Sequence, residues 1–367
     1  MAENDETQQI RQVNVEESGG VNRSLLLAIT LFYAFGALFL LAIVTLWLAS
    51  DILLLVFASI LVAVFLSGTS NLLVQRFKLP PKLSLPTVLL LIGIAAGLGG
   101  YFLIPRISAQ GAELMTTLPN SVERLIAYLS GYEWFRGLTQ SMPPAQELLP
   151  GFSKILNQAR IVFSGMFTFV AKLTIVLFVG VYLAAQPHLY VNGFLKLFPP
   201  RRRNRAREVL YEIGDTLKLW LIGKLIGMII VGTATSLALG LLGVPLAVTL
   251  GLITGLLNFI PYLGPLIAGI PMVLIAFSQG PTLALYTMLF YVVLQLAESY
   301  LLTPFVDRRT VYLPPALTIT VQVFMGIFFG LLGITLATPL AACVYVLIAM
   351  LYVQDVLNDS TTMPSER

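Results

Sequence analysis

Long apolar runs alternate with short polar segments along the chain, and eight of the runs approach or exceed the length of a transmembrane helix. A helix needs about 20 mostly apolar residues to cross a hydrocarbon core about 30 Å thick, because each residue adds about 1.5 Å. The eight runs are Leu25–Leu48, Ile52–Leu66, Leu85–Ile104, Ile161–Ala185, Leu219–Leu242, Leu246–Phe277, Thr282–Leu302 and Ala316–Val353. The pattern predicts an all-α, polytopic integral membrane protein with about eight transmembrane helices.

The polar segments between the runs complete the predicted organisation. In chain order we expect a disordered cytoplasmic tail (1–24), transmembrane helices 1–3 (25–104), an extracytoplasmic amphipathic helical segment (105–160), transmembrane helix 4 (161–185), a basic cytoplasmic helical segment (186–218), transmembrane helices 5–8 (219–353) and a C-terminal tail (354–367). Residues 1–24 carry five acidic and two basic side chains with few apolar ones, so this tail has little to bury. Ala49-Ser50-Asp51 is predicted to form the hairpin turn between the first two helices.

An amphipathic helix is predicted after Pro119. Its apolar residues have the i, i+3, i+4, i+7 spacing of one helical face: Val122, Leu125, Ile126 and Leu129. Aromatic side chains cluster at its end. We expect this helix to rest on the outer bilayer interface or on the protein's own membrane helices, and a lid over a substrate site is the less favoured alternative.

Composition excludes several classes of protein. Hydrophobic residues make up 57% of the chain and charged residues 11%, with a mean hydropathy of +0.87; soluble domains have about 25% charged residues. One cysteine and one histidine exclude a disulfide framework, a Cys/His zinc site and an iron–sulfur cluster. The sequence has no His-Glu-x-x-His, Gly-x-Ser-x-Gly or P-loop motif, so we expect neither an enzyme nor an ATP-driven pump, and no metal or cofactor.

Basic residues predict the orientation of the chain. If the N-terminus is cytoplasmic, 13 Lys and Arg residues fall in inner segments and 7, including Arg308 and Arg309, in outer ones. Both termini are therefore expected in the cytoplasm. The densest basic run is Arg201, Arg202, Arg203, Arg205 and Arg207, which we expect to anchor the chain to anionic lipid and fix its topology. No stacking aromatic residues are interleaved with these arginines, so nucleic-acid binding is not predicted.

Two apolar runs in the C-terminal half contain helix-breaking residues. The first carries Asn258, Pro261, Gly264 and Pro265 in the middle of a 32-residue run. Each interior proline removes a backbone hydrogen bond, and irregular backbone at membrane depth occurs only where it is buried in protein or lines a watery cavity. We therefore predict broken or re-entrant helices beside an internal path; a hairpin that only closes the fold is the alternative.

The second interrupted run has a glycine-rich middle followed by Pro339. The two runs share this organisation, which hints at an internal repeat of the kind found in secondary transporters.

Glu298 is the only carboxylate within a spanning run. A charge at the centre of a transmembrane helix costs about 2.5–3.5 kcal/mol, so Glu298 is expected either to line a polar path with a partner or, being close to the end of its helix, to reach the interface. Lys172 and Lys224 are the intramembrane cations. Lys224 lies near the start of its helix, where its side chain is able to snorkel, and it is the weaker candidate.

The C-terminal half contains four motifs in order: Asn258-Phe-Ile-Pro-Tyr-Leu-Gly-Pro265, Glu298-Ser-Tyr-Leu-Leu-Thr-Pro304, Phe329-Gly-Leu-Leu-Gly333 and Ala337-Thr-Pro-Leu-Ala-Ala342. These motifs resemble those of the autoinducer-2 exporter family of bacterial membrane proteins. The resemblance covers roughly residues 25–353. It implies an inner-membrane transporter of about eight helices, expected to be a homo-oligomer, in a family whose members resemble exporters of autoinducer-2 and include proteins described as sodium/proton antiporters.

The sequence therefore predicts a gradient-driven transporter that exports autoinducer-2 or a similar small polar metabolite. Its path is expected to be lined by the broken helix around Asn258–Pro265, by Glu298, by the bend at Thr303-Pro304 and by Pro339. The alternatives are a monovalent cation (Na⁺)/proton antiporter with Glu298 as the proton carrier, and a membrane scaffold without transport.

Overall fold

The computed structural model describes residues 3–135, 166–302 and 313–359, and its regular secondary structure in these ranges is entirely helical. The helices are α1 (Glu3–Phe77), α2 (Pro81–Leu129), α3 (Met166–Ala185), α4 (Pro187–Leu195), α5 (Arg203–Leu242), α6 (Ala247–Leu257), α7 (Leu263–Gln279), α8 (Pro281–Ala297) and α9 (Pro315–Leu347). The chain divides into two compact units at Leu53/Leu54, and helices α2 to α9 belong to the second. The predicted all-α membrane architecture is confirmed.

Two predictions for the N-terminal region are wrong. Helix α1 begins at Glu3, where a disordered tail was expected, and it continues through Ala49-Ser50-Asp51, where a turn was expected. Extending an existing helix avoids the cost of nucleating a new one, so polar residues next to an apolar helix readily add turns to it. The single Asp51 is too weak a signal to interrupt a helix with no Gly or Pro beside it.

Five helical segments of the described chain are long and apolar enough to cross a membrane: Ala49–Phe77, Pro81–Pro105, Pro200–Leu242, Pro281–Leu301 and Pro315–Gln354. A sixth is possible if the pair Val170–Ala185 and Pro187–Leu195, bent by 85°, counts as one span. The count of eight remains a prediction, since the other apolar helices are shorter than a full crossing.

Helix α2 runs through Pro105 and Pro119, and its second half packs on α6 and α7. Gln110 Oε1 accepts hydrogen bonds from the Thr249 hydroxyl (2.6 Å) and backbone N–H (3.3 Å), which satisfies a donor in the first turn of α6. Arg124 Nη1 donates to the Ser278 carbonyl near the end of α7 (2.9 Å). The predicted amphipathic helix thus lies on the protein's own membrane helices and holds the two ends of the α6–α7 pair.

Helices α6 and α7 form an antiparallel pair, which we call hairpin 1. Leu246 and Leu250 at the start of α6 share a hydrophobic cluster with Met272 and Ile275 near the end of α7. At the other end, a Cβ on Gly264 would contact the Leu257 carbonyl, so only glycine permits this close approach. Residues 258–262 form the tip of hairpin 1. The predicted break is confirmed: the 32-residue run is two short helices.

Helix α9 also folds back on itself, at Gly330, and its two arms are called hairpin 2. Gly330 has φ +61° and ψ −145°, a backbone conformation that favours glycine. Gln322 Nε2 donates to Thr338 Oγ1 at 3.3 Å, although residues 16 apart in a straight helix are about 24 Å apart. The arms, residues 315–329 and 331–354, are roughly 22 and 36 Å long at 1.5 Å per residue, so the segment Pro315–Gln354 folds back and is not one straight crossing.

The bases of the two hairpins lie at opposite ends of α5. We call these the arginine end, where α5 begins at Arg203, and the glycine end, where it stops before Gly243. Hairpin 1 has its base at the glycine end, since Val244 and Ala284 belong to one cluster. Hairpin 2 has its base at the arginine end, where Leu313 and Met350 pack with Val209.

This arrangement changes the topology expected from hydropathy. The segment that contains Arg308 and Arg309 lies outside the described residues, but Ser299 and Leu313 on either side of it are described. Ser299 and Leu313 line a cavity together with Thr216 of α5. They therefore lie at the arginine end, whereas one crossing per apolar run placed this connection on the other side. Hydropathy alone cannot distinguish a hairpin from a single long helix, because both are continuous apolar runs.

Close packing of α5 against hairpin 1 depends on glycine at position 251. A Cβ there would come to 2.7 Å from the Gly232 carbonyl oxygen and would also contact the Ser236 hydroxyl, whereas nothing lies within 4 Å of a Cβ on Gly240. We expect Gly251→Ala to destabilise the protein by about 1–3 kcal/mol and Gly240→Ala to be neutral or stabilising, because alanine favours helix. Thermal unfolding in detergent measures both, and equal midpoints would contradict this packing.

The re-entrant topology predicts which residues are labelled from the same side. In a chain with Cys343 replaced by Ser, Gln279→Cys and Ser299→Cys should react with an impermeant maleimide from opposite sides of the membrane, and Asp359→Cys from the same side as Ser299→Cys. Right-side-out and inside-out vesicles provide the comparison. Labelling of positions 299 and 359 from opposite sides would contradict hairpin 2.

Candidate transport site

A cavity of about 740 Å³ with polar and apolar lining residues lies between the tip of hairpin 1, the end of α8, the start of the membrane part of α5 and the arms of hairpin 2. Its polar side chains come from all four elements: Thr216, Lys224, Asn258, Gln295, Glu298, Ser299, Thr318 and Thr338. Leu313 and Pro315 line it at the arginine end. A cavity of this size accommodates a small metabolite.

Lys224, Asn258 and Glu298 form the charged centre of the cavity. The Glu298 carboxyl group interacts electrostatically with the Lys224 ammonium, and the buried Asn258 side chain lines the same cavity. Lys224 Nζ also lies 3.5 Å from the Asn258 carbonyl oxygen. Three separate elements supply these residues, so any movement of hairpin 1 against α5 or α8 changes their contacts.

The local backbone places Glu298 and Asn258 beside the cavity. Helix α8 ends at Ala297 and continues as a π-helical turn over Glu298–Leu302, a conformation often found at functional sites. Helix α6 ends at Leu257, and Asn258, its C-terminal capping residue, is 2% exposed. At the tip, Tyr262 has φ +62°, an unfavourable backbone conformation for a residue with a Cβ.

The prolines at the tip leave backbone groups that other parts of the protein satisfy. The Leu263 N–H donates to the Pro261 carbonyl (2.7 Å), and the Tyr291 hydroxyl of α8 donates to the Pro265 carbonyl (2.6 Å). The Tyr291 ring lies against Gly269, where a Cβ would come to 2.8 Å from the ring. These hydrogen bonds satisfy two carbonyl groups of the broken segment, and unpaired backbone groups are costly in a membrane.

Hairpin 2 approaches the same region of α5. The rings of Trp220 and Phe259 stack edge to face, with centroids 5.3 Å apart, and Phe329 beside the Gly330 turn packs on the same cluster. The tips of both hairpins therefore meet near residues 217–227 of α5. Each consists of two antiparallel arms that follow another helix, α5 or α8, and the internal repeat suggested by the sequence stays a prediction.

The structure brings most of the predicted site residues together. Asn258, Pro261, Pro265 and Glu298 line the cavity, and Gly264 lies in the wall that supports them. Pro339 is buried in hairpin 2 next to the lining residue Thr338. Thr303 and Pro304 lie outside the described residues.

Three lining residues were missed or undervalued in the sequence. Lys224 faces the cavity centre, although its position near a helix end favoured snorkelling towards water. Thr216 and Gln295 have buried side-chain atoms without a hydrogen-bond partner in the described part of the chain, a feature of sites that bind water or ligand. Threonine and glutamine are uncharged, so hydropathy gives them little weight.

The basic run packs partly on the protein itself. Arg205 binds Asp355 (2.8 Å) and Glu208 (3.0 Å) and donates to the Met350 carbonyl (3.1 Å), which joins α5 to the chain after hairpin 2. Arg203 donates to the Phe198 carbonyl and Arg207 to the Asn192 side chain. The side chains of Arg201 and Arg202 are exposed.

Broken helices beside a cavity with polar lining residues occur in integral membrane transporters. The chain matches the family model described as "AI-2E family transporter" over residues 27–352. It therefore belongs to the AI-2E family of membrane transporters, as the motifs predict, and the family indicates a transporter in place of an enzyme.

Two curated relatives come from Bacillus subtilis (strain 168). "Putative transport protein YueF" is 29% identical over 280 residues, which cover 73% of this chain and 76% of the relative. "Putative transport protein YdbI" is 23% identical over 283 residues, which cover 72% and 76%. Both alignments extend over most of the two chains compared.

If the cavity contains water, a cysteine at position 338 should react with a water-soluble reagent faster than a cysteine in the protein core. Both Thr338 and Thr235 are buried in helices, but Thr338 lines the cavity, whereas Thr235 belongs to the core of α5. In a Cys343→Ser background, we expect a charged methanethiosulfonate reagent to modify Thr338→Cys at least tenfold faster than Thr235→Cys, as mass spectrometry would measure. Equal rates would exclude an aqueous cavity.

Proposed function

We propose that the protein is a gradient-driven exporter of a small polar metabolite, autoinducer-2 or a chemically similar solute, and that the cavity beside Asn258 and Glu298 is its binding site. The observation that carries this proposal is the meeting of a lysine, a carboxylate and several amide and hydroxyl side chains in a cavity of about 740 Å³. Hydroxyl and carbonyl groups of a polar solute match such donors and acceptors.

The architecture supports a moving hairpin as the access step. Hairpin 2 shares a cluster with α5 at the arginine end, and hairpin 1 is held at the other end by Gln110 and Arg124 of α2. In the proposed cycle the solute enters at the arginine end, between hairpin 2 and α8, and leaves after the contacts between the two tips open. The path includes Pro261, Gly264, Pro265 and Pro339, with Thr303-Pro304 as a proposed bend.

The proposed setting is the bacterial inner membrane, with the arginine end and both termini in the cytoplasm. The basic segment supports this orientation by the positive-inside rule, and the exposed Arg201 and Arg202 are placed to interact with anionic headgroups. A homo-oligomer remains part of the proposal through the family resemblance alone.

A monovalent cation/proton antiporter is the second candidate. The contact of Glu298 with Lys224 favours it, because a carboxylate at membrane depth that exchanges partners is suited to carry a proton or cation. The two candidates differ in what crosses the membrane. Na⁺-induced proton release from proteoliposomes, without movement of an organic solute, would favour the antiporter.

Replacing Glu298 tests the proposed transport function directly. In proteoliposomes loaded with autoinducer-2 and placed in a pH or Na⁺ gradient, we expect Glu298→Gln to lower gradient-driven efflux at least tenfold, because it removes the only carboxylate among the described residues that line the cavity. Glu123→Gln, on the exposed face of α2, is the matched control and should retain wild-type efflux.

Three results would count against the proposal. Undiminished efflux in Glu298→Gln would exclude Glu298 from the path. Wild-type protein that moves Na⁺ and protons but no autoinducer-2 would leave the antiporter. Wild-type protein that moves neither under any gradient would leave a membrane scaffold.

A further inference from the structure

The end of α6 presents a backbone oxygen to a lysine side chain. The Asn258 carbonyl lies in the last turn of the helix, where carbonyl groups have no intrahelical donor and the helix dipole is negative. Lys224 Nζ approaches this oxygen to 3.5 Å, beyond the usual 2.7–3.2 Å of an N–H···O hydrogen bond. The ammonium group is therefore attracted to the helix end without being tightly bound there.

The Glu298 carboxyl group lies in the same cavity and supplies a negative charge when it is ionised. It interacts electrostatically with Lys224, and Lys224, Asn258 and Glu298 all line the cavity. A backbone carbonyl, a carboxylate and the negative end of a broken helix together form an oxygen-rich site for one positive charge. Hard monovalent cations bind such oxygen ligands, and half-helix ends and unwound carbonyls provide them in transporters.

We propose that the Asn258 carbonyl and the Glu298 carboxylate form a monovalent-cation site, and that the Lys224 ammonium occupies it as a tethered substitute when no cation is bound. The site lies in the cavity proposed for transport and so rests on that proposal for its role. Binding of Na⁺ displaces the ammonium from Asn258 and Glu298. Departure of Na⁺ lets Lys224 return, which keeps the buried carboxylate compensated throughout.

This exchange gives Lys224 a specific role in coupling. A free cation and the ammonium group compete for the same oxygen atoms, so the lysine sets the affinity for cation and prevents the empty site from carrying an uncompensated charge. A lysine that only snorkelled or packed would not change cation affinity when its charge is removed.

The test is equilibrium binding of ²²Na⁺ to purified protein, which requires no knowledge of the organic solute. Lys224→Met keeps an unbranched stem and removes the competing charge, so we expect it to bind Na⁺ at least tenfold more tightly than wild type. Adding Glu298→Gln to Lys224→Met should abolish the gain. Lys172→Met, at a spanning lysine of α3 outside the cavity lining, should bind like wild type.

Wild-type protein provides a second measurement if Lys224→Met does not fold. Na⁺, but not choline at equal ionic strength, should raise the rate at which a small amine-specific reagent modifies Lys224, with Lys172 unchanged, as peptide mass spectrometry would show. Unchanged Na⁺ affinity in Lys224→Met, a gain that survives Glu298→Gln, or no effect of Na⁺ on Lys224 modification would each overturn the assignment. Efflux of autoinducer-2 is measured separately, so its absence leaves these results interpretable.

Discussion

The need to satisfy every backbone polar group away from water determines how this protein is built. A helix interrupted by proline exposes N–H and C=O groups that lipid cannot bond. Neighbouring helices contact hairpin 1 at its broken segment: the Tyr291 hydroxyl donates to the Pro265 carbonyl, and the Trp220 ring packs edge to face on Phe259. In the same region Asn258, Glu298 and Lys224 line a space that protein atoms do not fill. The cavity is thus a consequence of how the broken helix is accommodated.

Glycine makes this accommodation possible at the places where backbones meet. Gly264 allows α7 to begin directly against the end of α6, and Gly251 lets α6 lie close to α5. Gly330 supplies the left-handed conformation that turns hairpin 2. Small residues that bring helices together are the usual means of packing in membranes, where apolar side chains gain little by leaving lipid. The hairpins are consequently held by close packing of main chain as much as by side-chain contacts.

Much of this arrangement could be predicted from the sequence. Proline spacing indicated the break at 258–262, and the isolation of Glu298 among apolar residues marked it as a site candidate. The fold-back at Gly330 could not be predicted in the same way, because an apolar run has the same composition whether it crosses once or returns. Lys224 was undervalued for a related reason. A lysine near a helix end reaches water only if no other part of the protein covers it, and the sequence does not show that the tip of hairpin 1 lies beside Lys224.

The central claim is that solute passes through the cavity between hairpin 1 and hairpin 2. The most direct measurement is flux of the solute that the wild type moves, autoinducer-2 or Na⁺. Flux is measured through the single-cysteine variant Ser299→Cys before and after a bulky charged thiol reagent modifies that cysteine. The modified side chain would occupy the cavity, so flux should fall by at least tenfold and recover when a reductant removes the adduct. Undiminished flux through fully modified protein would contradict the account.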